Sequence, residues 1–153
     1  MRIYRLVKAR YRSSALDGSG AKTYGGRWNP RGLAAVYASD SISLAALELL
    51  VHLHRSDVLN HYLLVTLDVP DEALLVLDDT QLPADWREDP APASTAAIGM
   101  VWLQEQSSLA LAVPSVLVPQ QRNVLLNPAH PAFAEVARHA AFEAFKFDAR
   151  LAG

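Results

Sequence analysis

The stretch Thr23-Tyr24-Gly25-Gly26-Arg27-Trp28-Asn29-Pro30, followed by Val36-Tyr37-Ala38-Ser39 and then Ala46-Leu47-Glu48-Leu49-Leu50, is the most informative part of the chain. It reads as a glycine-paired turn, a short apolar strand and a helix in succession. Paired glycines let the backbone approach another group closely or adopt positive φ. An arginine directly after them offers a planar fork to a phosphate or a carboxylate. Trp28 is costly to expose, so it packs and directs that arginine. The bland alternative is a tight turn carrying a solvated arginine. The stretch is neither a Rossmann fingerprint nor a P-loop, because no GxGxxG and no GK[ST] follows a strand.

Outward from this stretch, Met1 to Val7 alternates well enough for a strand with one wet face. Arg10 to Pro30, with Gly18, Gly20, Gly25 and Gly26, reads as a long polar loop of the kind that usually carries function. Ala34 to Ala38 is a short buried strand, and Ser39 or Asp40 can cap a helix from about Ser41 to His54. Tyr62 to Val69 alternates as a strand ended by Pro70, and Leu74 to Leu77 is a second short strand. Asp78 to Ser94, with Pro83, Pro90 and Pro92, is an irregular connection. Thr95 to Gln106 is helical, Leu109 to Val118 is a strand broken at Pro114, and Asn123 to Leu126 is another. Pro131 to Arg138 is a short helix and Phe142 to Phe147 a final strand. This order predicts an α+β fold, not a regularly alternating doubly wound one.

The chain has 153 residues, 51% of them hydrophobic and 20% charged, which excludes a disordered protein and predicts one domain over 1–153. It has no cysteine, which excludes a disulfide scaffold, a thiolate zinc site and a cysteine nucleophile. No apolar run approaches the ~20 residues of a membrane helix, and no signal-peptide core is visible, so a soluble, cytoplasmic protein is expected. The net charge of −2 hides an asymmetry. Residues 1–35 hold eight basic side chains against Asp17 alone, a net of +7, whereas residues 36–90 hold eleven acids against Arg55 and Arg87, a net of −9. A basic first quarter suggests a polyanionic ligand, and the acidic middle favours a small phosphate-bearing molecule over an extended DNA surface. His52 and His54 are two apart and face differently, and no other cluster has metal-ligand spacing, so no metal is expected.

The order Gly-Gly-Arg-Trp-Asn, Tyr37 ten residues after Arg27, Glu48 on the next helix and the later Pro114-Ser115-Val116 resembles the RES domain. The likeness runs from Tyr4-Arg5 to Asn127-Pro128-Ala129-His130-Pro131. The family is named for an arginine, a glutamate and a serine, which are Arg27, Glu48 and Ser115 here. The resemblance implies a fold similar to that of ADP-ribosyltransferases, an antiparallel or mixed sheet with flanking helices. It further implies a toxin of a toxin–antitoxin pair that degrades NAD⁺, by hydrolysis or phosphorolysis, and arrests growth. The implied partner is an Xre-type helix-turn-helix antitoxin, a segment of which covers the cleft. NAD⁺ would be substrate, with no further cofactor, no membrane and no direct DNA binding, and a homodimer within the complex is left open.

Cleaving the nicotinamide–ribose bond creates an oxocarbenium-like centre, as in glycoside hydrolysis. The leaving group is cationic and departs neutral, so no general acid is required; the protein must hold phosphates, orient the ribose and offer negative charge. On this reading Arg27 takes the phosphate or adjacent ribose, and Tyr37 stacks on the nicotinamide. Glu48 accepts from a ribose hydroxyl and acts as an electrostatic stabiliser of the cation or as a base for incoming water or phosphate, and Ser115 hydrogen-bonds in the site. Tyr24, Lys22 and Arg31 flank the loop within reach of phosphates, Gln121 and Asn123 precede a strand and can line a cleft, and His52 shares a helix face with Glu48. Read without the family, Glu48 is an ordinary wet-side glutamate, Tyr37 a core tyrosine with its hydroxyl satisfied and Ser115 a backbone-bonding serine. Two other functions stay open: a protein mono-ADP-ribosyltransferase, and a non-catalytic module for nucleotides or nucleic acid.

Overall fold

Period-two alternation in the first and third apolar segments produces a long antiparallel pair. In the computed structural model, which describes residues 1–153, β1 (Arg2–Lys8) and β3 (Tyr62–Asp68) pair from Arg2 opposite Asp68 to Lys8 opposite Tyr62. The remaining strands are β2 (Val36–Ser39), β4 (Leu74–Val76), β5 (Ala110–Pro114), β6 (Arg122–Leu126) and β7 (Ala141–Phe145). They form one seven-stranded sheet in the order β4-β5-β6-β2-β1-β3-β7. Every pairing is antiparallel except β4 with β5, so the sheet is mixed. Four α-helices flank it: α1 (Ser19–Tyr24), α2 (Ile42–Leu50), α3 (Ala93–Glu105) and α4 (Phe133–Arg138). The α+β expectation therefore holds. None of the helices is long and apolar enough to cross a membrane.

Side-chain alternation divides the core between the two faces. Ile3, Val36, Ala38, Val65, Leu67, Ala110, Ala112, Val124 and Leu126 bury one face beneath Val136 of α4 and Ala15. The opposite face is covered in two separate places. Leu6, Tyr62 and Leu64 pack under Ala45 of α2, while Leu111, Val113 and Leu125 pack under Trp28 and under Trp102 and Leu103 of α3. The two clusters part above β2, the middle strand, and the residues β2 shows on that side are Tyr37 and Ser39. That gap is where a ligand can reach the sheet.

Three expectations are corrected. The long loop Arg10 to Pro30 contains a 3-10 turn (Ala9–Ser14) and the six-residue α1. Helix α1 begins after Gly18 in left-handed conformation (φ 69°), with the Asp17 carboxylate accepting from Ser19 N at 2.8 Å; its Gly20 disguises it as loop. Helix α2 is capped by Ser41, whose Oγ accepts from Leu44 N at 3.1 Å, not by Ser39 or Asp40. It stops at Leu50, not His54, because His52 N and Leu53 N turn back to the Leu49 and Leu50 carbonyls. Finally, β5 ends at Pro114, and the chain to Gln121 is a turn closed by Ser115 N on Gln121 O and Gln121 N on Val118 O.

Folding disperses part of the basic first quarter. Arg2 pairs with Asp68, Lys8 with Asp57, and Arg12 lies over the Phe142 ring. The hydrogen bond from Lys8 Nζ (3.2 Å) holds the Asp57 carboxyl below the usual carboxylate range. A lowered folded-state value means stability that is present above the unfolded pKa of about 3.9 and lost as pH falls through the folded value. Asp57→Asn is therefore expected to lower unfolding free energy at pH 6 and to converge on the parent as the pH drops below about 4. Denaturant melts at several pH values check this, and a gap that stays constant down to pH 3 refutes the Lys8–Asp57 contribution.

Candidate active site

The hairpin Gly26-Arg27-Trp28-Asn29 is built from backbone outward. Gly25 (φ 73°) ends α1 in a conformation that a side chain would strain. Gly26 N donates to Asn29 O at 3.0 Å, which puts Arg27 at the tip. A Cβ on Gly26 would stand 2.6 Å from Tyr37 Oη and 2.8 Å from Asn29 Oδ1, so the second glycine is required by close approach. Trp28 is buried against Gly99 of α3, and Asn29 is buried with Nδ2 donating to the Ala21, Pro30 and Leu33 carbonyls.

Tyr37 rises from β2 into this hairpin. Its hydroxyl donates to Asn29 Oδ1 (2.8 Å) and accepts from Trp28 N (3.0 Å), and burial pushes it well above the ordinary tyrosine range. The hydroxyl thus holds the hairpin, while the residue also lines the cleft. Tyr37→Phe leaves Trp28 N and Asn29 Oδ1 without that partner and is expected to cost about 1–3 kcal/mol in unfolding free energy. Unchanged stability in a denaturant melt would show that the hairpin does not need this hydroxyl.

Glu48 lies on the opposite wall, on α2. Its Oε1 accepts from Ser115 Oγ and from Asn123 Nδ2, each at 2.7 Å. Ser115 is fully buried, and its Oγ in turn accepts from Leu117 N and Val118 N, both at 3.1 Å. Asn123 is fixed by Ser39 Oγ, which donates to its Oδ1 at 2.8 Å. Register explains the meeting: Ser39 of β2 sits opposite Asn123 of β6, and Val113, just before the Pro114-Ser115 turn, sits opposite Asn123 from the other side. One carboxylate oxygen is therefore anchored by two donors, and Oε2 has no partner in the chain.

Between the walls runs an open cleft of about 1270 Å³, larger than most small-ligand pockets. Arg27, Tyr37, Glu48, Tyr24, Arg31 and Asn123 all line it. Ser115 lies just behind, reaching the cleft through Glu48. Lys22 and Gln121 do not line it: both are exposed, and the interactions they make are through backbone atoms. Arg27 Nη1 donates to the Trp86 and Glu88 carbonyls at 2.9 and 2.8 Å, so one face of its fork is held by the segment before α3. Sequence reasoning missed Asn29 and Ser39, and it missed Arg5, whose guanidinium bonds the Ala15 and Tyr37 carbonyls and whose pKa burial lowers. Asn29 stands three residues after Gly26 and Ser39 two after Tyr37, and Arg5 was marked only by the family likeness that opens at Tyr4-Arg5.

An α+β frame whose central strand opens into a cleft between a fixed arginine and an anchored glutamate defines a class of protein with a guanidinium and a carboxylate set across one cavity. Comparison with known proteins narrows the class. The chain belongs to the RES domain family, whose model matches residues 2–148. It is 46% identical over 151 residues to a protein of Yersinia enterocolitica named Toxin Res, covering 99% of both chains. A Toxin Res of Photorhabdus laumondii is 40% identical over 151 residues, covering 99% of this chain and 97% of its own. A protein of Sphingobium sp. named Prs ADP-ribosylating toxin is 46% identical over 125 residues, covering 79% of this chain and 77% of its own.

Proposed function

We propose that this protein is an intracellular toxin that cleaves the nicotinamide–ribose bond of NAD⁺, passing the ADP-ribosyl group to water or phosphate, on an ADP-ribosyltransferase-like fold. The observation that carries the proposal is the pairing, across one cleft, of the Arg27 fork with a Glu48 carboxylate whose Oε1 is fixed and whose Oε2 is unpartnered. Arg27 binds the pyrophosphate or the neighbouring ribose with the donors that the Trp86 and Glu88 carbonyls leave open. The C1′–N bond breaks with its electron pair passing to the pyridine nitrogen, so nicotinamide leaves neutral. Glu48 holds a ribose hydroxyl and sets negative charge beside the oxocarbenium-like centre, where preorganised charge is most effective. The acceptor oxygen then bonds C1′ and releases its proton.

A toxin of this kind requires restraint. The expected partner is a separately encoded Xre-type antitoxin, in a complex that also admits a toxin dimer, and a cytoplasmic setting follows from the substrate. Apolar residues at and around the cleft, with Leu47, Val51 and Leu117 exposed, suit a covering protein segment. A second reading, transfer of ADP-ribose to a protein, is favoured by the name of the Sphingobium relative. Incubation with NAD⁺ separates the two. Multiple-turnover release of nicotinamide without any protein acceptor supports the first, and product analysis with and without inorganic phosphate identifies the acceptor. Loss of NAD⁺ only in the presence of a protein that becomes labelled supports the second. No consumption under either condition refutes both.

A further inference from the structure

Within the irregular connection Asp78 to Ser94, the segment Pro83 to Ala91 touches both walls of the cleft. Arg27 Nη1 is bonded to the carbonyls of Trp86 and Glu88, the residues on either side of Arg87. Arg87 itself turns the other way: its Nη2 donates to Val116 O at 3.0 Å. Val116 follows Ser115 in the turn whose Leu117 and Val118 amides close on Ser115 Oγ, the hydroxyl that donates to Glu48 Oε1. The N-terminal end of the segment is tied to the start of α3, where Ser94 Oγ donates to Asp85 Oδ1 at 2.6 Å. Asp89 and Ala91 form part of the cleft wall.

We propose that Arg87 is a positioning residue that couples the Arg27 wall to the Glu48 wall, fixing the guanidinium and the carboxylate at the separation one ligand requires. This rests on the reading that Arg27 and Glu48 act on the same ligand. The physical case is the continuity of the connection. Bonds from a charged guanidinium to carbonyls are stronger than neutral ones, so two such bonds wrap the segment around Arg27. Without the Arg87 bond to Val116 O, no hydrogen bond joins that wrapped segment to the Ser115–Val118 turn. The turn then keeps its Ser115–Glu48 contact but loses its tie to the Arg27 side. Arg87 is exposed on the outer side of the segment and is not among the cleft-lining residues, so its influence on the ligand is indirect.

Misplacement of reacting groups by about 1 Å can cost on the order of 10²-fold in rate. Arg87→Ala is accordingly expected to lower kcat for NAD⁺ cleavage by about 10- to 100-fold with KM little changed, because both binding walls remain intact. Arg87→Lys keeps a single charged donor and is expected to recover part of that loss. Amide exchange followed by NMR supplies a readout that does not depend on turnover: Leu117 and Val118 should lose protection in Arg87→Ala while β1 and β3 amides keep theirs. Parent-like kcat with parent-like exchange at 115–118 overturns the proposal, as does a loss confined to KM, which would mean direct ligand contact. Should the parent protein fail to consume NAD⁺, the proposed reaction falls, and the exchange measurement still decides whether Arg87 couples the two walls.

Discussion

Glu48→Gln is expected to reduce NAD⁺ cleavage by about 10²–10³-fold while leaving the thermal midpoint within a few degrees of the parent, the size of loss seen when one preorganised electrostatic group is removed from a reaction centre. The substitution isolates charge from structure because a glutamine Oε1 can still accept from Ser115 Oγ and Asn123 Nδ2. What disappears is the negative charge beside the developing cation. Glu48→Ala removes the acceptor as well, leaving the buried Ser115 hydroxyl and the Asn123 amide without it, so it is expected to add about 1–3 kcal/mol of destabilisation to the same loss of rate. A Gln variant with more than half the parent rate would show that the carboxylate does not act on the reaction. Arg27→Ala is expected to remove turnover too, but through a different failure: it releases the Trp86 and Glu88 carbonyls and frees the segment they belong to.

The sequence disclosed the two ends of this arrangement better than what connects them. Arg27 and Glu48 stand in a recognisable order, with glycines before one and a helix around the other, and both arrive in the cleft. The α+β class was also legible, since alternation in Tyr62 to Val69 marks a strand without reference to its partners. Register was not. That Ser39 faces Asn123 over a gap of 84 residues, and that Asn123 thereby reaches Glu48, depends on how β2 and β6 slide against each other. Asn123 was readable as a cleft residue, but not as the clamp on the carboxylate. Gln121, two residues earlier, was read in the same way, yet it falls in the turn and does not line the cleft.

Backbone-mediated contacts were the least legible of all. The carbonyls of Trp86 and Glu88 have no side-chain signature, so a proline-bearing stretch looked like a connection although it grips the key arginine. Helix α1 was missed because glycines at 18, 20, 25 and 26 suggest loop, whereas Gly18 serves as its left-handed entry and Gly25 as its end. Leu44 of α2 is buried, while Leu47 and Val51 are 40% and 53% exposed near the cleft. A helix covering only part of a sheet face keeps an apolar residue wet when the neighbouring space is a cleft.

The tightest dependence in the structure lies outside the cleft, where α3 meets the hairpin. Gly99 packs so closely that a Cβ there would sit 1.5 Å from Trp28 O and 2.6 Å from Trp28 C. Backbone cannot yield as a flexible side chain does, and Trp28 is held in place by the Tyr37 hydroxyl on its own amide and by Asn29 next to it, itself bonded to three carbonyls. Helix and hairpin must therefore separate, which opens the cluster of Trp28, Trp102, Leu111 and Leu125 and displaces Arg27 at the hairpin tip. Gly99→Ala is expected to cost at least about 3 kcal/mol, the upper end of ordinary overpacking, or roughly 6–12 °C in thermal midpoint for a chain of this size. Gly20→Ala makes the same chemical change in α1, where nothing stands within 4 Å of the added carbon. It is expected to be neutral or stabilising by about 0.4–1 kcal/mol, since alanine restricts the unfolded chain and favours helix. Thermal melts of the two variants beside the parent test this: equal midpoints for both would mean that the α3–hairpin contact does not constrain the fold.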